Sequence, residues 1–459
     1  MKRKPGEDDN VGKTAQGSGA GMKWPTVKLH SVTSKVGSGA TPRGGDEAYQ
    51  STGIPLIRSM NVHFEGFKRK GLAFIDEAQA AQLDNVIVQA DDVLFNITGA
   101  SIGRVTTAPA DMAGARVNQH VCILRTTEAL LPKFLAYYLA TPVQQALVNS
   151  NQTGGTRQAI TKGMLLSWPV PLPAPKEQRK IVELLEQADG LRQQRAEADK
   201  LAERILPALF HKMFGEHSQP KLKTVQDLLG DGSLLVHKDG NFGANYPKKS
   251  DFADTGILFV SAMHIDESGF VDYTHAPRLR LEKAETYTFG WTQNGDVLLA
   301  HNATVGRVGI VEGAAERMLI GTSLTCFRPD SQRLCPLFLF GALRDHRFQS
   351  QLKNVMGQGT RNQVPITAQK RLSLPIADYS LQQDFVRQAS AVRTCLHSQM
   401  NAAARRDELF KSILHRAFTG ELTAKWRQAH LKELLAEMEQ QARALRLARP
   451  ETGASSTKT

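Results

Sequence analysis

The sequence predicts an α/β protein in which two repeated α/β domains are separated by two long helices. The helices are expected to pair as an antiparallel coiled coil with pseudo-two-fold symmetry. Three observations lead to this prediction: one internal duplication, a segment of short β-rich runs and Gly/Asn/Asp turns that opens each copy, and a heptad spacing of apolar residues that closes it. The composition agrees, because 41% hydrophobic and 22% charged residues are ordinary for a globular protein.

The duplication spans nearly the whole chain at an offset of 203 to 206 residues. The segment GIPLIRSMNV at 53–62 recurs as GILFVSAMHI at 256–265, and the Asp-Val-Leu run at Asp92 recurs at Asp296. The matching pairs keep one order, so a single domain-and-helix unit is present twice. The further pairs are 102–105 with 305–308, 130–135 with 334–339, 155–157 with 359–361, 160–161 with 366–367, and 209–214 with 413–418.

The second part of each copy is predicted to form one long helix, over about 176–214 and 380–418. A proline-rich stretch at 169–175 precedes the first helix and cannot itself be helical. The apolar stripe is narrow, which favours a helix pair over a helix lying on a membrane. The predicted seam residues are Ile181, Leu184, Ala188, Leu191, Arg195, Ala198, Ala202, Ile205 and Leu209 in the first copy, and Phe385, Ala389, Val392, Leu396, Gln399, Ala403, Arg406, Phe410, Ile413 and Ala417 in the second.

The chain therefore divides into six segments. No run of about 18 apolar residues is present, and the N-terminus has no apolar signal region, so we expect a cytoplasmic protein without a membrane span. The four cysteines form no CxxC pair, which argues against a disulfide framework and a zinc site. The predicted segments are a disordered tail at 1–22, an α/β domain at 23–174, a helical region at 175–216, a second α/β domain at 217–377, a second helical region at 378–424, and an amphipathic helix with a tail at 425–459.

This order of segments resembles the DNA specificity subunit of type I restriction-modification systems. The resemblance covers about residues 23–424 and rests on the proline-rich entry into EQRKIV at 177–182 and on AFTGELT at 417–423. It departs from the family pattern in two places, because the first helix ends in MFGE at 213–216 and the second helix lacks the proline-rich entry.

The resemblance implies a function for each segment. Each α/β domain would be a target recognition domain that reads one half of a split sequence in double-stranded DNA. The two helices would set the distance between the half-sites and bind two methyltransferase subunits. Restriction subunits would complete the complex, so catalysis would belong to other chains.

No residue pattern in the chain predicts catalysis by the chain itself. Nucleotide-binding glycine motifs, an Asn-Pro-Pro-Tyr motif and the His/Glu spacing of metal sites are all missing from the sequence, so we expect no catalytic residue, cofactor or metal. His211 and His415 occupy matching places on the two helices and are interpreted as structural. Two alternatives stay open: the recognition part of another restriction-methylation assembly, and a coiled-coil adaptor that does not bind DNA. The net charge of +12 favours DNA binding.

The candidate DNA contacts form three groups. Arg104 and Arg307 follow glycine in matching turns, and Arg157 and Arg361 end glycine-rich loops, so we expect them to bind phosphates. Base-reading residues should differ between the copies, since the two half-sites differ. The base-reading candidates are Arg58, Asn61, His63, Asn96 and Thr98 in the first copy and Ser261, His264, Asp266, His301 and Asn302 in the second. The basic clusters expected to attract DNA non-specifically are Lys68, Arg69 and Lys70, and Lys248 and Lys249.

Overall fold

A computed structural model of the chain describes residues 24–42, 44–150, 159–215, 220–357 and 362–447. The chain forms two compact units. Unit 1 consists of Met1–Gln193 and Arg406–Thr459, and unit 2 consists of Gln194–Arg405. Within the described ranges, no helix is both long enough and apolar enough to cross a membrane.

The α/β domain of unit 1 is made of short strands and short helices. Their bounds are β1 Thr26–Lys28, β2 Thr33–Ser38, β3 Ile54–Ile57, β4 Val62–His63, β5 Gly66–Phe67, β6 Ala73–Ile75, α1 Glu77–Ala81, β7 Val93–Asn96, β8 Val105–Thr107, β9 Arg116–Val117, β10 Val121–Thr126, α2 Pro132–Leu139, α3 Pro142–Ser150, α4 Lys162–Ser167 and β11 Pro169–Pro171. Apolar and β-branched residues fill the central strands, and all four residues of β7 are buried.

Three sheets organise this domain, and β4 and β5 form a further two-stranded antiparallel sheet. An antiparallel sheet has the strand order β2-β10-β7-β8, and a smaller sheet, β6-β3-β9, contains the parallel pair β3 and β9. The third pairs β1 with β11, the two ends of the domain, in an antiparallel ladder. Two apolar cores form around these sheets, one of which includes Phe95 and Phe134.

The first long helical region consists of two helices, α5 Pro175–Ala202 and α6 Ile205–Phe214, where the sequence predicts one. The break falls at Glu203 and Arg204. Its cause is Pro207, which has no N–H and whose ring would clash with the carbonyl of Glu203 in a continuous helix.

The α/β domain of unit 2 repeats the pattern of unit 1. Its elements are β12 Lys221–Thr224, α7 Val225–Gly230, β13 Leu234–Asp239, β14 Phe252–Ala253, β15 Ile257–Val260, β16 Arg278–Leu279, α8 Leu281–Ala284, β17 Trp291–Thr292, β18 Val297–Ala300, β19 Val308–Ile310, β20 Met318–Ile320, β21 Leu324–Pro329, α9 Pro336–Arg344, α10 His346–Gly357, α11 Ile366–Gln369 and β22 Ser373–Ile376.

The four-stranded sheet and the closing ladder of unit 2 match those of unit 1, whereas the sheet with the parallel pair has five strands, β14-β16-β15-β20-β17, in place of three. The order β13-β21-β18-β19 corresponds to β2-β10-β7-β8, and β12 pairs with β22 as β1 pairs with β11. The parallel pair β15 and β20 corresponds to β3 and β9. The prediction of an α/β domain present twice is therefore confirmed.

The second long helical region is one helix, α12 Tyr379–Phe418. Its predicted seam is correct at its ends, because Phe385, Ala389 and Ala417 are buried. In unit 1, α5 runs antiparallel to the end of α12 and the segment after it: Arg192 Nη1 lies 3.8 Å from Asp407 Oδ1 of α12, and Glu177 Oε1 accepts from Thr423 Oγ1, just beyond α12, at 2.7 Å. In unit 2, Phe210 of α6 and Phe385 of α12 share one core, with their ring centroids 5.3 Å apart.

The predicted seam of the first helical region is wrong over much of its length. Leu191 and Ile205 are 69% and 49% exposed, whereas Leu185 and Leu206 are buried. The inward stripe thus lies one residue later than predicted. Adjacent apolar pairs such as Leu184 and Leu185 are compatible with either register of the helix. The inward stripe also contains Arg192, whose guanidinium stacks 4.6 Å from the Phe410 ring centroid, and an arginine does not stand out in an apolar pattern.

The C-terminal segment forms two helices, α13 Ala424–Ala429 and α14 Leu431–Leu447, in place of the single predicted helix. Both belong to unit 1. Gln441 Nε2 of α14 donates to Ala129 O at 2.8 Å, and Glu437 Oε2 accepts from the backbone N–H of Lys176 at 2.9 Å. The segment therefore packs on the start of α5 and on the α/β domain before it.

Candidate nucleic-acid interface

The Gly-Arg turns have the same geometry in both domains. Gly103 and Gly306 adopt φ angles of +86° and +93°. A glutamine closes each turn: Gln145 Nε2 donates to Gly103 O and Gln349 Nε2 donates to Gly306 O, both at 2.9 Å. A Cβ atom at Gly103 would lie 2.6 Å from Gln145 Oε1. Glycine is therefore required by the turn itself.

The two turn arginines have different surroundings. Arg307 Nη2 pairs with Glu267 Oε1 at 2.5 Å, and its Nη1 donates to Ile265 O at 2.9 Å. Arg104 is half-buried. No carboxylate among the described residues forms an ion pair with Arg104. Among the described residues, the charge of Arg307 is therefore offset by a carboxylate, whereas the charge of Arg104 is not.

Asn61 and His264 occupy matching positions and do the same structural work. Asn61 Oδ1 accepts from the backbone N–H of Arg58 at 2.9 Å, and His264 Nδ1 accepts from that of Ser261 at 3.0 Å. Asn61 also donates to Lys68 O at 2.8 Å and is fully buried. Both side chains cap a 3-10 turn. We therefore assign Asn61, which is fully buried, to its turn in place of the predicted contact with bases, whereas for the half-buried His264 that contact stays a prediction.

Asn96 and His301 are also held inside their domains. Asn96 Nδ2 donates to Ser59 O at 2.9 Å, and His301 Nδ1 lies 2.9 Å from Thr325 Oγ1. Both residues are buried, and burial lowers the pKa of His301, so its ring is neutral. We assign these two residues to the cores beneath the loops and not to base reading. The sequence could not separate them from exposed loop residues because each directly follows or ends a strand.

His301 belongs to a polar network that is buried in unit 2. Gln369 Nε2 donates to Thr325 Oγ1 at 3.1 Å, and Gln369 Oε1 lies 3.1 Å from His237 Nε2. His237 Nδ1 is buried without a hydrogen-bond partner among the described residues. Desolvation is the main cause that lowers the pKa of His237 from 6.5 to about 4. In unit 1 the four corresponding positions hold Val36, Ile97, Cys122 and Leu165, so the network is specific to the second domain.

Unit 2 is expected to lose stability in mild acid because of His237. In the unfolded chain the His237 imidazole takes up a proton below pH 6.5, whereas in the folded chain it does so only near pH 4. The free energy of unfolding is therefore unaffected above pH 6.5 and decreases as the pH falls from 6.5 to 4. At pH 5 this amounts to about 2 kcal/mol. Thermal melting at pH 7.5 and pH 5 tests it: His237→Gln should lose less on acidification than wild type. The exposed His275, changed to Gln, serves as the control, and an equal acid loss in wild type and His237→Gln would contradict the assignment.

The remaining predicted residues lie closer to the surface. Arg58 Nη2 donates to Gly71 O at 2.7 Å with its guanidinium over Tyr49, and Arg69 pairs with Asp111 through both carboxylate oxygens. Thr98 hydrogen-bonds His120. The residues that are exposed are Lys68, Lys70, Lys248 and Lys249; those that are half-buried are His63, Thr98, Ser261, Asp266 and Asn302; Arg157 and Arg361 lie outside the described residues.

Each domain contains a buried ion pair that was not predicted from the sequence: in unit 1 it joins the residue just before β7 to β10, and in unit 2 it joins the residue just before β18 to β21. Arg125 binds Asp92 through Nε and Nη2, both at 2.8 Å, and Arg328 binds Asp296 in the same way at 2.7 and 2.6 Å. Each carboxylate is 1% exposed and also accepts a backbone N–H three residues earlier in the chain. The sequence does contain a pattern that could have indicated these aspartates, because both stand first in the duplicated Asp-Val-Leu run.

A second buried charge, Glu177, joins the two sequence motifs that carry the family resemblance. Glu177 Oε1 accepts from Thr423 Oγ1 at 2.7 Å and from Arg427 Nε at 2.6 Å, and its Oε2 accepts from Trp24 Nε1 at 3.0 Å. Arg427 also donates to Gly420 O at 2.6 Å. The EQRKIV and AFTGELT motifs therefore meet at one buried carboxylate in unit 1.

Comparison with known proteins agrees with this layout. The family model described as type I restriction modification DNA specificity domain matches residues 22–201. The chain is 24% identical over 432 residues to the type I restriction enzyme EcoBI specificity subunit of Escherichia coli, covering 88% of this chain and 87% of that protein. It is 22% identical over 448 residues to the StySPI specificity subunit of Salmonella potsdam, covering 91% and 92%.

Solved structures show the same fold. The S subunit of a type I restriction-modification system from M. genitalium superimposes with a TM-score of 0.50 at 16% identity, covering 88% of this chain and 98% of that one. A chain from a study of complex assembly and conformational transition of the type I R-M system gives a TM-score of 0.52 at 20% identity, covering 87% and 98%.

In its duplicated α/β domains with their long helices, and in these matches, the chain resembles the specificity proteins of restriction-modification systems. More particularly, the chain is similar to the specificity subunits of the type I systems. The resemblance stated from its sequence is thereby confirmed.

Proposed function

We propose that the chain binds double-stranded DNA and directs a type I restriction-modification complex to a split target, with each α/β domain reading one half. One observation carries the proposal: the two domains share their strand order and their glutamine-closed turn, while the residues displayed around that turn differ. A constant scaffold with variable loops is how one fold reads two different sequences.

The helical regions would hold the two domains at a set spacing and bind two methyltransferase subunits, and restriction subunits would join that complex. Three leucines support the docking role, because Leu191, Leu201 and Leu409 are between 60% and 69% exposed. Apolar helix surface of this kind becomes buried when a partner subunit binds.

Within the recognition domains, the proposed phosphate contacts are those whose positive charge is available. Arg104 lies on a rigid turn, and Lys68, Lys248 and Lys249 are exposed. Arg157 and Arg361 stay in the proposal on the sequence argument alone. The base-reading candidates that remain are those that are not fully buried, namely Arg58, His63, Thr98, Ser261, His264, Asp266 and Asn302.

We expect Arg104→Ala to weaken binding of the chain to duplex DNA and to lower the slope of log affinity against log salt by about 1, as for one lost phosphate contact. Arg307→Ala is the matched control at the equivalent turn. Its charge is already offset by Glu267, so its slope should change by clearly less. Fluorescence anisotropy with a labelled duplex over a range of salt concentrations measures both.

Equal slopes for wild type and Arg104→Ala would show that this turn does not contact phosphate. The same titration discriminates the adaptor hypothesis, because an adaptor without a DNA role would leave the labelled duplex unbound even at low salt.

A further inference from the structure

Three side chains that the proposed function does not use lie together in unit 2. His211 is on α6, while Asp345 and His346 stand where α9 ends and α10 begins. One potential ligand atom from each lies within 4.8 Å of the others, and the two imidazole centroids are 5.7 Å apart. Both histidines are exposed, whereas the Asp345 carboxylate is 2% exposed.

The carboxylate of Asp345 is held in a fixed orientation. Its Oδ1 accepts from the backbone N–H of Arg347 at 3.0 Å and from Arg347 Nε at 2.6 Å. Its Oδ2 faces His346, whose Nδ1 lies 3.7 Å away. One oxygen is thus fixed by the arginine, and the other is turned toward the histidines. An outer partner that fixes a carboxylate in this way is typical of metal sites.

The three residues line an open cleft of about 460 Å³, together with Gln349 and Lys353. An ion and its waters can therefore reach them. The two imidazoles are exposed and not packed in a core, so their side chains have room to change rotamer without a movement of the backbone.

We propose that His211, Asp345 and His346 form a binding site for a divalent transition metal, Zn²⁺ being the best match. Imidazole nitrogen and carboxylate oxygen are ligands that zinc accepts at about 2.0–2.2 Å, with water completing four-coordination. The bound ion would join the end of the first helical region to the second domain. The sequence alone does not indicate this site, because His211 and Asp345 are far apart in the chain and form no motif.

The first domain provides an internal comparison. His415 corresponds to His211, but Thr141 and Pro142 stand where Asp345 and His346 stand in the second copy. The fold is therefore built without the cluster in one copy. The three residues are not a requirement of the domain architecture.

The test uses the full chain, without a histidine tag, and Co²⁺ as a spectroscopic probe for Zn²⁺. We expect one equivalent of Co²⁺ to bind with visible d–d absorption and to be displaced by Zn²⁺. His211→Gln and His346→Gln should each weaken binding by roughly tenfold or more, while His415→Gln should leave it unchanged. Both positions are exposed, so circular dichroism should show folded variants.

A second measurement follows stability. Zn²⁺ that binds only the folded chain should raise the melting temperature by mass action, and this rise should vanish in His211→Gln. No saturable Co²⁺ absorption up to millimolar concentration, or saturable binding that both variants retain, would overturn the proposal. Neither result depends on whether the chain binds DNA.

Discussion

Glu177→Gln is expected to lower the free energy of unfolding of unit 1 by about 3–5 kcal/mol, because it leaves the Arg427 guanidinium buried without its carboxylate. Glu177 is fully buried and Arg427 is 5% exposed, so water cannot take over the lost interaction. Urea unfolding followed by tryptophan fluorescence measures the change. The signal reports mainly on unit 1, since Trp24, Trp168 and Trp426 all lie there.

Glu183→Gln is the matched control on the same helix. Its carboxylate is 51% exposed, pairs with Lys180 and accepts a long hydrogen bond from Gln187 Nε2 at 3.3 Å, so we expect a change within about 0.5 kcal/mol. Adding Arg427→Met to Glu177→Gln should recover part of the loss, because the second substitution removes the unpaired charge. Equal midpoints for Glu177→Gln and Glu183→Gln would show that the buried cluster does not hold unit 1 together.

Replacing residues 217–377 by the equivalent segment of another specificity subunit is expected to change one half of the DNA target completely and leave the other half intact. The structure explains why such an exchange should fold. β12 and β22 pair in antiparallel register from Lys221 with Ile376 to Thr224 with Ser373, so the two ends of the exchanged segment lie side by side. The sheets and cores of the domain lie within the segment, apart from its contacts with α6 and α12.

The reciprocal exchange of residues 23–174 serves as the control, because β1 and β11 close the first domain in the same way. It should change only the other half-site. Simultaneous change of both half-sites in either exchange would contradict the assignment of one half-site to one domain.

Much of the architecture could be predicted from the sequence because duplication and heptad spacing are long-range patterns. The repeat offset correctly predicts two domains of one topology, and the heptads correctly predict the ends of α12. The register of α5 could not be predicted, since its inward face contains Arg192. The break before α6 was predictable in principle from Pro207, whose effect on the preceding turn is general.

The candidate site was predicted less well, for a physical reason. Differences between copies were interpreted as base reading, yet Asn61 and His264 differ while doing the same work, since an amide oxygen and an imidazole nitrogen both accept one backbone N–H. The environment of the two turn arginines could not be predicted from the sequence either. Arg104 and Arg307 look alike in sequence, and only the fold brings Glu267 to one of them.

Mapping methylated bases in DNA modified by the unaltered chain together with its methyltransferase subunits decides whether two domains of one chain read two halves of a target. We expect a single target made of two specific half-sites, separated by a spacer of constant length and variable sequence. A continuous target without a spacer, or the same methylation pattern when the chain is omitted, would contradict this expectation.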